Sequence, residues 1–317
     1  MTQTSKNYRI RNWSEYNKAL VKRGSITLWL SEESLATWLA EKSGKRGRPL
    51  KYSDHAILCC LMLKAVYHLP FRALQGLLIS VISLLQLDLP VPCYTRICRR
   101  AAHLGQNIRK LSKKRPTDIV IDSSGLKVYG EGEWKVKKHG KGKRRTWRKI
   151  HIAVDPKGQE IILSYLGTNG EADCEAMPRI SASLPKSIQN AFVDGAYDTE
   201  ISYQATYKQG IRLIVPPRRG AIIHDLFKKP WMTNRNLALC MIEAFGNDDK
   251  ARKTWKECSG SHKRSLAETA FYRWKSIFGE RLMTRTLENQ RGEVYAKSMV
   301  LNKMTGLGMP KRKRVLW

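Results

Sequence analysis

Lys149-Ile-His-Ile-Ala-Val-Asp155-Pro-Lys-Gly158-Gln-Glu-Ile-Ile-Leu-Ser-Tyr-Leu166 decides the fold class. Apolar and polar residues alternate over Lys149–Asp155, the period of a half-buried strand. Pro156-Lys-Gly158 is turn chemistry and Gln159–Leu166 is a second β-rich run, so the two segments predict a hairpin. Upstream, Asp118–Ser123 is apolar and β-branched, a further strand. Downstream, Glu171–Ser183 has helical spacing, Asn190–Asp194 reads as a strand and Glu200–Gln209 as a helix. Arg212–Val215 is a strand stopped by Pro216-Pro217. Residues 218–260 are polar with a helical middle at Asn234–Phe245. A helix bearing Glu268 follows, then another near Thr286–Met304. That order predicts an α/β fold, a mixed sheet with helices on both faces.

Ahead of the strands the pattern is helical. Ser53-Asp54 is a plausible N-cap for Ala56–Tyr67. Pro70 opens a second segment, Phe71–Leu87, and Pro90-Val-Pro92 breaks it. Thr95–Leu104 reads as a short third helix with Arg96, Arg99 and Arg100 on or near one side. Three short helices with a basic last one suit a helix-turn-helix module over 53–104. The alternative is a bundle whose basic face is solvated. Arg46-Gly-Arg48-Pro49 has the form of a minor-groove hook, since glycine lets the backbone descend and the arginines follow the groove's negative potential. An ordinary basic linker has the same composition. The pattern changes at Lys113-Lys-Arg-Pro116. The predicted organisation is a helical region over 1–115, a sheet domain over 116–310 with an insertion at about 217–260, and a basic tail at 311–317.

The 58 Lys and Arg against 27 Asp and Glu leave a formal net charge of +31. Such an excess repels itself unless it meets a polyanion, so nucleic acid is the expected partner. The 42% apolar content and clean strand runs argue for a core-bearing protein rather than a ribosomal-type one. No long amphipathic basic helix suggests a membrane surface. Leu77–Leu87 is too short and interrupted to span a bilayer. The seven cysteines form no Cys-x-x-Cys pair and no zinc spacing. Free thiols in a reducing cytoplasm are the expectation.

The chemistry falls on three acids. Asp122 and Asp194 each end an apolar β-like run, and Glu268 lies on a helix with Arg264 and Lys275. Positions i, i+4 and i+11 lie within about 60° of one another on a helix. Two strand-end aspartates and a helix-borne glutamate are what a two-metal phosphoryl-transfer site needs, and the cations beside the glutamate suit a polyanionic substrate. Two Mg²⁺ ions are expected, with Mn²⁺ as a substitute, because Mg²⁺ accepts few protein carboxylates and keeps positions for phosphate oxygens. Each acid has a plainer alternative: a turn at Ser123-Ser-Gly125 for Asp122, Asp-Gly turn chemistry for Asp194, and a Ser265-x-x-Glu268 capping box for Glu268. Asp155 reads as a turn residue and Asp198 as the cap of the following helix. The basic segment from Gly130 to Lys149 adds Lys137, Lys138, Arg144, Arg145 and Arg148 for a phosphate backbone, with Trp134 and Trp147 able to stack on an unpaired base. Its alternative is a solvated loop with the tryptophans pinned to the core.

With these residues in place, the chain resembles the DDE transposases of bacterial insertion sequences, most closely the insertion-sequence-five family. The likeness runs through Asn12-Trp-Ser-Glu-Tyr-Asn17, Gly47-Arg-Pro49 with Tyr52-Ser-Asp54, Cys98-Arg-Arg100, Ile121-Asp-Ser-Ser-Gly-Leu-Lys127, Lys138-His-Gly140, Arg144-Arg-Thr-Trp-Arg-Lys149, Val193-Asp-Gly-Ala-Tyr-Asp198, Arg264-Ser265 with Glu268-Thr269, and Leu307-Gly-Met-Pro310. It implies a ribonuclease-H-like sheet preceded by a helical DNA-binding region, with Asp122, Asp194 and Glu268 as the catalytic, metal-holding triad. The family signature around the glutamate is matched by Arg264, Glu268 and Lys275, while Ser261, beside His262, holds the family's tyrosine position. The implied partners are double-stranded DNA, as terminal inverted repeats and target, and further copies of the chain. The implied setting is bacterial, cytoplasmic and nucleoid-associated. A nuclease of the same fold and a non-catalytic, transposase-derived DNA-binding protein are the rival readings.

Overall fold

The computed structural model describes residues 8–41, 44, 47, 49–105, 111–128 and 147–314. Two compact units emerge, Met1–Arg100 with Met299–Trp317, and Ala101–Ser298. The first contains β1 (Tyr8–Ile10), α1 (Trp13–Arg23), the short α2 (Ile26–Trp29) and α3 (Glu32–Ala36), α4 (Asp54–Val66), α5 (Phe71–Leu84) and the start of α6 (Tyr94–Leu104). Ser53 caps α4 as its sequence suggests: its Oγ accepts the Ala56 N–H at 2.9 Å. Ala56 to Leu63 are all buried, which makes α4 the unit's core. A bend of 110° separates α4 from α5, within the range of a helix-turn-helix pair. Among the described residues no single helix is long and apolar enough to cross a membrane.

The strand Arg312–Arg314 pairs antiparallel with β1. It returns the chain's end to the helical unit, where a basic tail was expected. The division between units also falls inside α6 rather than near Pro116. Pairing across some 300 residues leaves no local mark in the sequence, whereas the change from helices to strands does.

The second unit is built on a mixed sheet. Its elements are β2 (Asp118–Val128), β3 (Trp147–Val154), β4 (Ile161–Thr168), α7 (Asp173–Ser183), β5 (Asn190–Phe192), α8 (Glu200–Tyr207), β6 (Arg212–Ile214), α9 (Thr233–Ala244), α10 (Asp249–Ser259), α11 (Ser265–Phe278), β7 (Arg281–Leu282) and α12 (Leu287–Leu307), the last running on into the first unit. The strand order is β4-β3-β2-β5-β6, with β7 also on β2. β2, β3 and β4 are antiparallel, while β5, β6 and β7 run parallel to their neighbours. The expected hairpin is β3–β4, turned by Asp155, whose carboxylate accepts the N–H groups of Lys157 and Gly158 at 2.9 Å each.

Strand alternation sorts the two faces. Ile119 and Ile121 join Met177 and Ile180 of α7 and Tyr203 of α8 in one core cluster. Val120 joins Phe192, Ile214, Ile242, Trp255 and Ala267 in the other, under α9, α10 and α11. The insertion thus holds two helices where one was expected. α10 reads as polar because only Ala251 and Trp255, four residues apart, are buried in it. One edge of β2 is covered by β3 over Val120–Lys127. The other meets β5 at Asp118–Val120 and β7 at Lys127–Val128, so among the described residues the stretch between has no strand partner on that side. Asp122 lies in this opening.

Candidate active site

β2 and β5 are parallel neighbours in register Asp118↔Asn190 to Val120↔Phe192. The ladder ends there; two residues further along each chain come Asp122, within β2, and Asp194, just past the end of β5, near enough for the Asp194 charge to act on Asp122. Asp194 keeps an extended backbone, φ −86° and ψ 175°. Asp122 shares the parity of Val120, whose face packs under α11, so both acids open towards that helix. Gly260, left-handed at φ 72°, ends α10. A tight turn, Ser261–Arg264, then delivers Arg264 to the start of α11. The Ser265–Glu268 capping box does not form, since Ser265 Oγ donates to His262 O within a continuous helical start. Arg264 and Glu268 stay on one face, Nη2 to Oε1 2.6 Å, and Nη1 reaches 3.7 Å from Asp122 Oδ2.

The three acids therefore share one electrostatic neighbourhood. Burial pushes the Asp122 carboxyl up to about 6; the negative charges of Asp194 and Glu268 add to the rise, and the Ser123 N–H and Arg264 oppose it. Two backbone donors fix the aspartates: Ser123 N–H to Asp122 Oδ1 and Ala196 N–H to Asp194 Oδ1, each 2.9 Å. The turn role weighed for Asp194 is thus real, and it holds the carboxylate at the strand end. Glu268 is the exposed member. Among the described residues no three His, Cys, Asp or Glu side chains stand close enough to hold one ion. The Arg264 guanidinium lies between Asp122 and Glu268 instead.

Behind the aspartates lies a buried polar chain that sequence reading did not single out. Tyr197 hydrogen-bonds Ser123, and its hydroxyl stands 3.0 Å from His151 Nδ1. His151 in turn is 3.7 Å from Asp173 Oδ1, and Lys149 Nζ is 2.9 Å from the same oxygen. Burial, then the charges of Asp173, Asp122 and Asp194, hold the Tyr197 hydroxyl well above the ordinary tyrosine value. The available signal was parity: His151 alternates inward on β3. Asp198 is a correction. Thr199, not Asp198, caps α8. The Asp198 side chain is fully buried and pairs with Arg235 Nε at 2.9 Å, also accepting the Arg218 N–H at 3.0 Å.

The remaining expected residues fall in several places. Lys275, half-buried, stands 3.4 Å from Glu280 Oε1, near the other end of α11 from Glu268. Trp147 packs on Gly125, where an added Cβ would meet its ring at 3.2 Å. Arg148 Nε donates to Gln290 Oε1 at 2.9 Å. In the helical unit Arg96, Arg99 and Arg100 line a cavity of about 590 Å³ with Lys51, Tyr52 and Cys93. Arg96 lies over the Tyr52 ring, and Arg100 donates to Asp54 and to the Tyr52 carbonyl. Arg46, Arg48, Trp134, Lys137, Lys138, Arg144 and Arg145 lie outside the described residues.

Two family models match the chain. A model described as a transposase DDE domain matches residues 113–303, and a second of the same description matches residues 21–131. Among solved structures, a cryo-EM structure of a piggyBac transposase synaptic complex with hairpin DNA is 12% identical, covers 90% of this chain and 75% of its own, and has a TM-score of 0.38. A Drosophila P element transposase strand transfer complex is also 12% identical, covers 93% and 86%, and has a TM-score of 0.31. With residues 113–303, more than half its length, matched to one such domain, the chain belongs to the transposase DDE domain family.

Proposed function

We propose that this transposase binds the terminal inverted repeats of its own insertion sequence, cuts the DNA there by metal-dependent hydrolysis, and joins the freed 3′-hydroxyl to a target strand. The reading takes the sheet as ribonuclease-H-like, on the strength of its order and its antiparallel β2-β3-β4 with parallel β5 and β6. The observation that carries it is the Arg264 guanidinium at the head of the Glu268 helix, 2.6 Å from Glu268 Oε1 and 3.7 Å from Asp122 Oδ2, and the parallel β2–β5 pairing supports Asp194 as the third acid. Asp122, Asp194 and Glu268 would hold two divalent ions, Mg²⁺ with Mn²⁺ as a substitute. The donor types fit such a cation, since carboxylate oxygens are its usual ligands, and the ions would take the place between Asp122 and Glu268 that the Arg264 guanidinium holds. When bound, the ions activate the attacking hydroxyl and stabilise the leaving oxygen.

The chain's own residues supply the rest. The Ser123 N–H within β2 and the Ala196 N–H in the turn after β5 aim the two aspartates. Arg264, released from Glu268, offers a fork to non-bridging phosphate oxygens, and Lys275 a point charge further along the same helix. Arg96, Arg99 and Arg100 in the helical unit bind the repeat backbone, joined by Arg46, Arg48 and the basic segment with Lys137, Lys138, Arg144, Arg145, Trp147 and Arg148. Two ends must be held together, so the active form is a multimer on DNA. The test is incubation with Mg²⁺ and a plasmid carrying both element ends. Strand joining through a 3′-hydroxyl supports the proposal. Cutting without joining assigns a nuclease, and end binding without cutting assigns a non-catalytic DNA-binding protein.

A further inference from the structure

Asp249, Arg252, Lys253 and Lys256 follow the 0, 3, 4, 7 spacing that puts residues on one helical face. This is one face of α10, and it looks across a cavity of about 330 Å³ at Pro216, Pro217 and Arg219. Four cations and one carboxylate line the space, so 4 − 1 leaves three positive charges in excess. Asp249 is engaged by Arg219 at 2.7 Å, a pair whose side chains are each 80% exposed and which adds little to stability. Lys253 and Lys256 have no acidic partner among the described residues. The walls are firm. Arg252 Nη1 donates to the Pro217 carbonyl at 2.7 Å, and Trp255 is anchored in the core beneath.

A solvated basic face needs neither a cavity nor fixed walls, and it has no reason to sit at this address. The Val193 N–H donates to Ile214 O, so the chain beyond β5 runs beside the chain beyond β6. An added Cβ on Gly195 would stand 3.7 Å from the Pro216 carbonyl. The cavity thus opens one strand over from Asp194, on the same sheet edge. A lysine-rich wall that close to a phosphoryl-transfer site serves the polymer's other phosphates, since backbone contacts position a strand without reading its sequence.

We propose that the cavity between Pro216-Pro217 and α10 is a phosphodiester site that grips the backbone of duplex DNA next to the reacting phosphate, with Lys253 and Lys256 as its principal contacts. This rests on the DNA-transposase reading above. The test uses the full chain, a labelled random-sequence duplex, and inorganic phosphate as a separate arm. Lysine acylation read by mass spectrometry should fall severalfold at Lys253 and Lys256 when the duplex binds. Lys253→Ala with Lys256→Ala should leave the melting midpoint unchanged, because both side chains are exposed. It should weaken duplex binding at every sequence and reduce the slope of log affinity against log salt by about 2, one for each phosphate contact. Unchanged reactivity of both lysines in a duplex-bound chain, with an unchanged slope, overturns the site and leaves the transposase reading standing. A wild-type chain that fails to bind duplex even at low salt overturns both. Equal protection by inorganic phosphate, with duplex affinity intact in the double variant, makes this a free-anion pocket and overturns the proposal.

Discussion

His151 shows what burial does to a single titratable side chain. It is 1% exposed on β3, and burial lowers its pKa from 6.5 to about 4, only partly offset by Asp173. The unfolded chain therefore binds a proton between about pH 6.5 and 4 that the folded chain refuses, and stability must fall as the pH drops through that window. Thermal melts of the wild type should lose midpoint more steeply there than those of His151→Gln, which has no proton to take up. Equal slopes would remove His151 from the acid response. Ser261 makes the complementary point about space. The resemblance puts it at a tyrosine position, yet it is 5% exposed in the turn that ends at Arg264. Ser261→Tyr should overpack that turn and cost about 1–3 kcal/mol in chemical denaturation. An unchanged denaturation midpoint would show that the turn can open to admit the ring.

At the scale of elements, α6 and α12 meet backbone to backbone. A Cβ on Gly292 would lie 2.2 Å from the Ala101 carbonyl, and one on Gly105 would lie 2.3 Å from the Gly292 amide. No side chain can yield at such a contact, so Gly292→Ala should destabilise by about 1–3 kcal/mol despite alanine's better helix propensity. A stabilised variant would mean the helices part freely. The hairpin β3–β4, the N-cap at Ser53 and the helix carrying Glu268 were legible in the sequence because turn residues, a capping serine and helical spacing are local signals. Three features were not. β7 is two residues long and exists only through pairing with β2. The Arg312–Arg314 strand is defined by β1 at the far end of the chain. α10 hides its amphipathicity behind charges. The same division holds at the site: Asp122 within β2 and Asp194 just past β5 belong to readable runs, although β2 continues through Ser123-Ser-Gly125 where a turn was weighed, whereas the Tyr197–His151–Asp173 chain appears only once separate elements pack.

For the whole molecule, the proposed function gives a charge of +31 and the three acids at the sheet opening one shared use. On the proposed reading the cations would hold a polyanion, and the acids would hold the metal ions that act on it. This division of labour makes binding and chemistry separable by mutation. The most direct measurement is strand cleavage by Glu268→Gln in Mg²⁺ on DNA bearing the element's ends, with end binding measured on the same preparation. Glutamine keeps the size and hydrogen bonding of Glu268 but removes its charge. The account predicts that end binding survives while cleavage falls by orders of magnitude. Cleavage that stays near the wild-type rate, with binding intact, would contradict it.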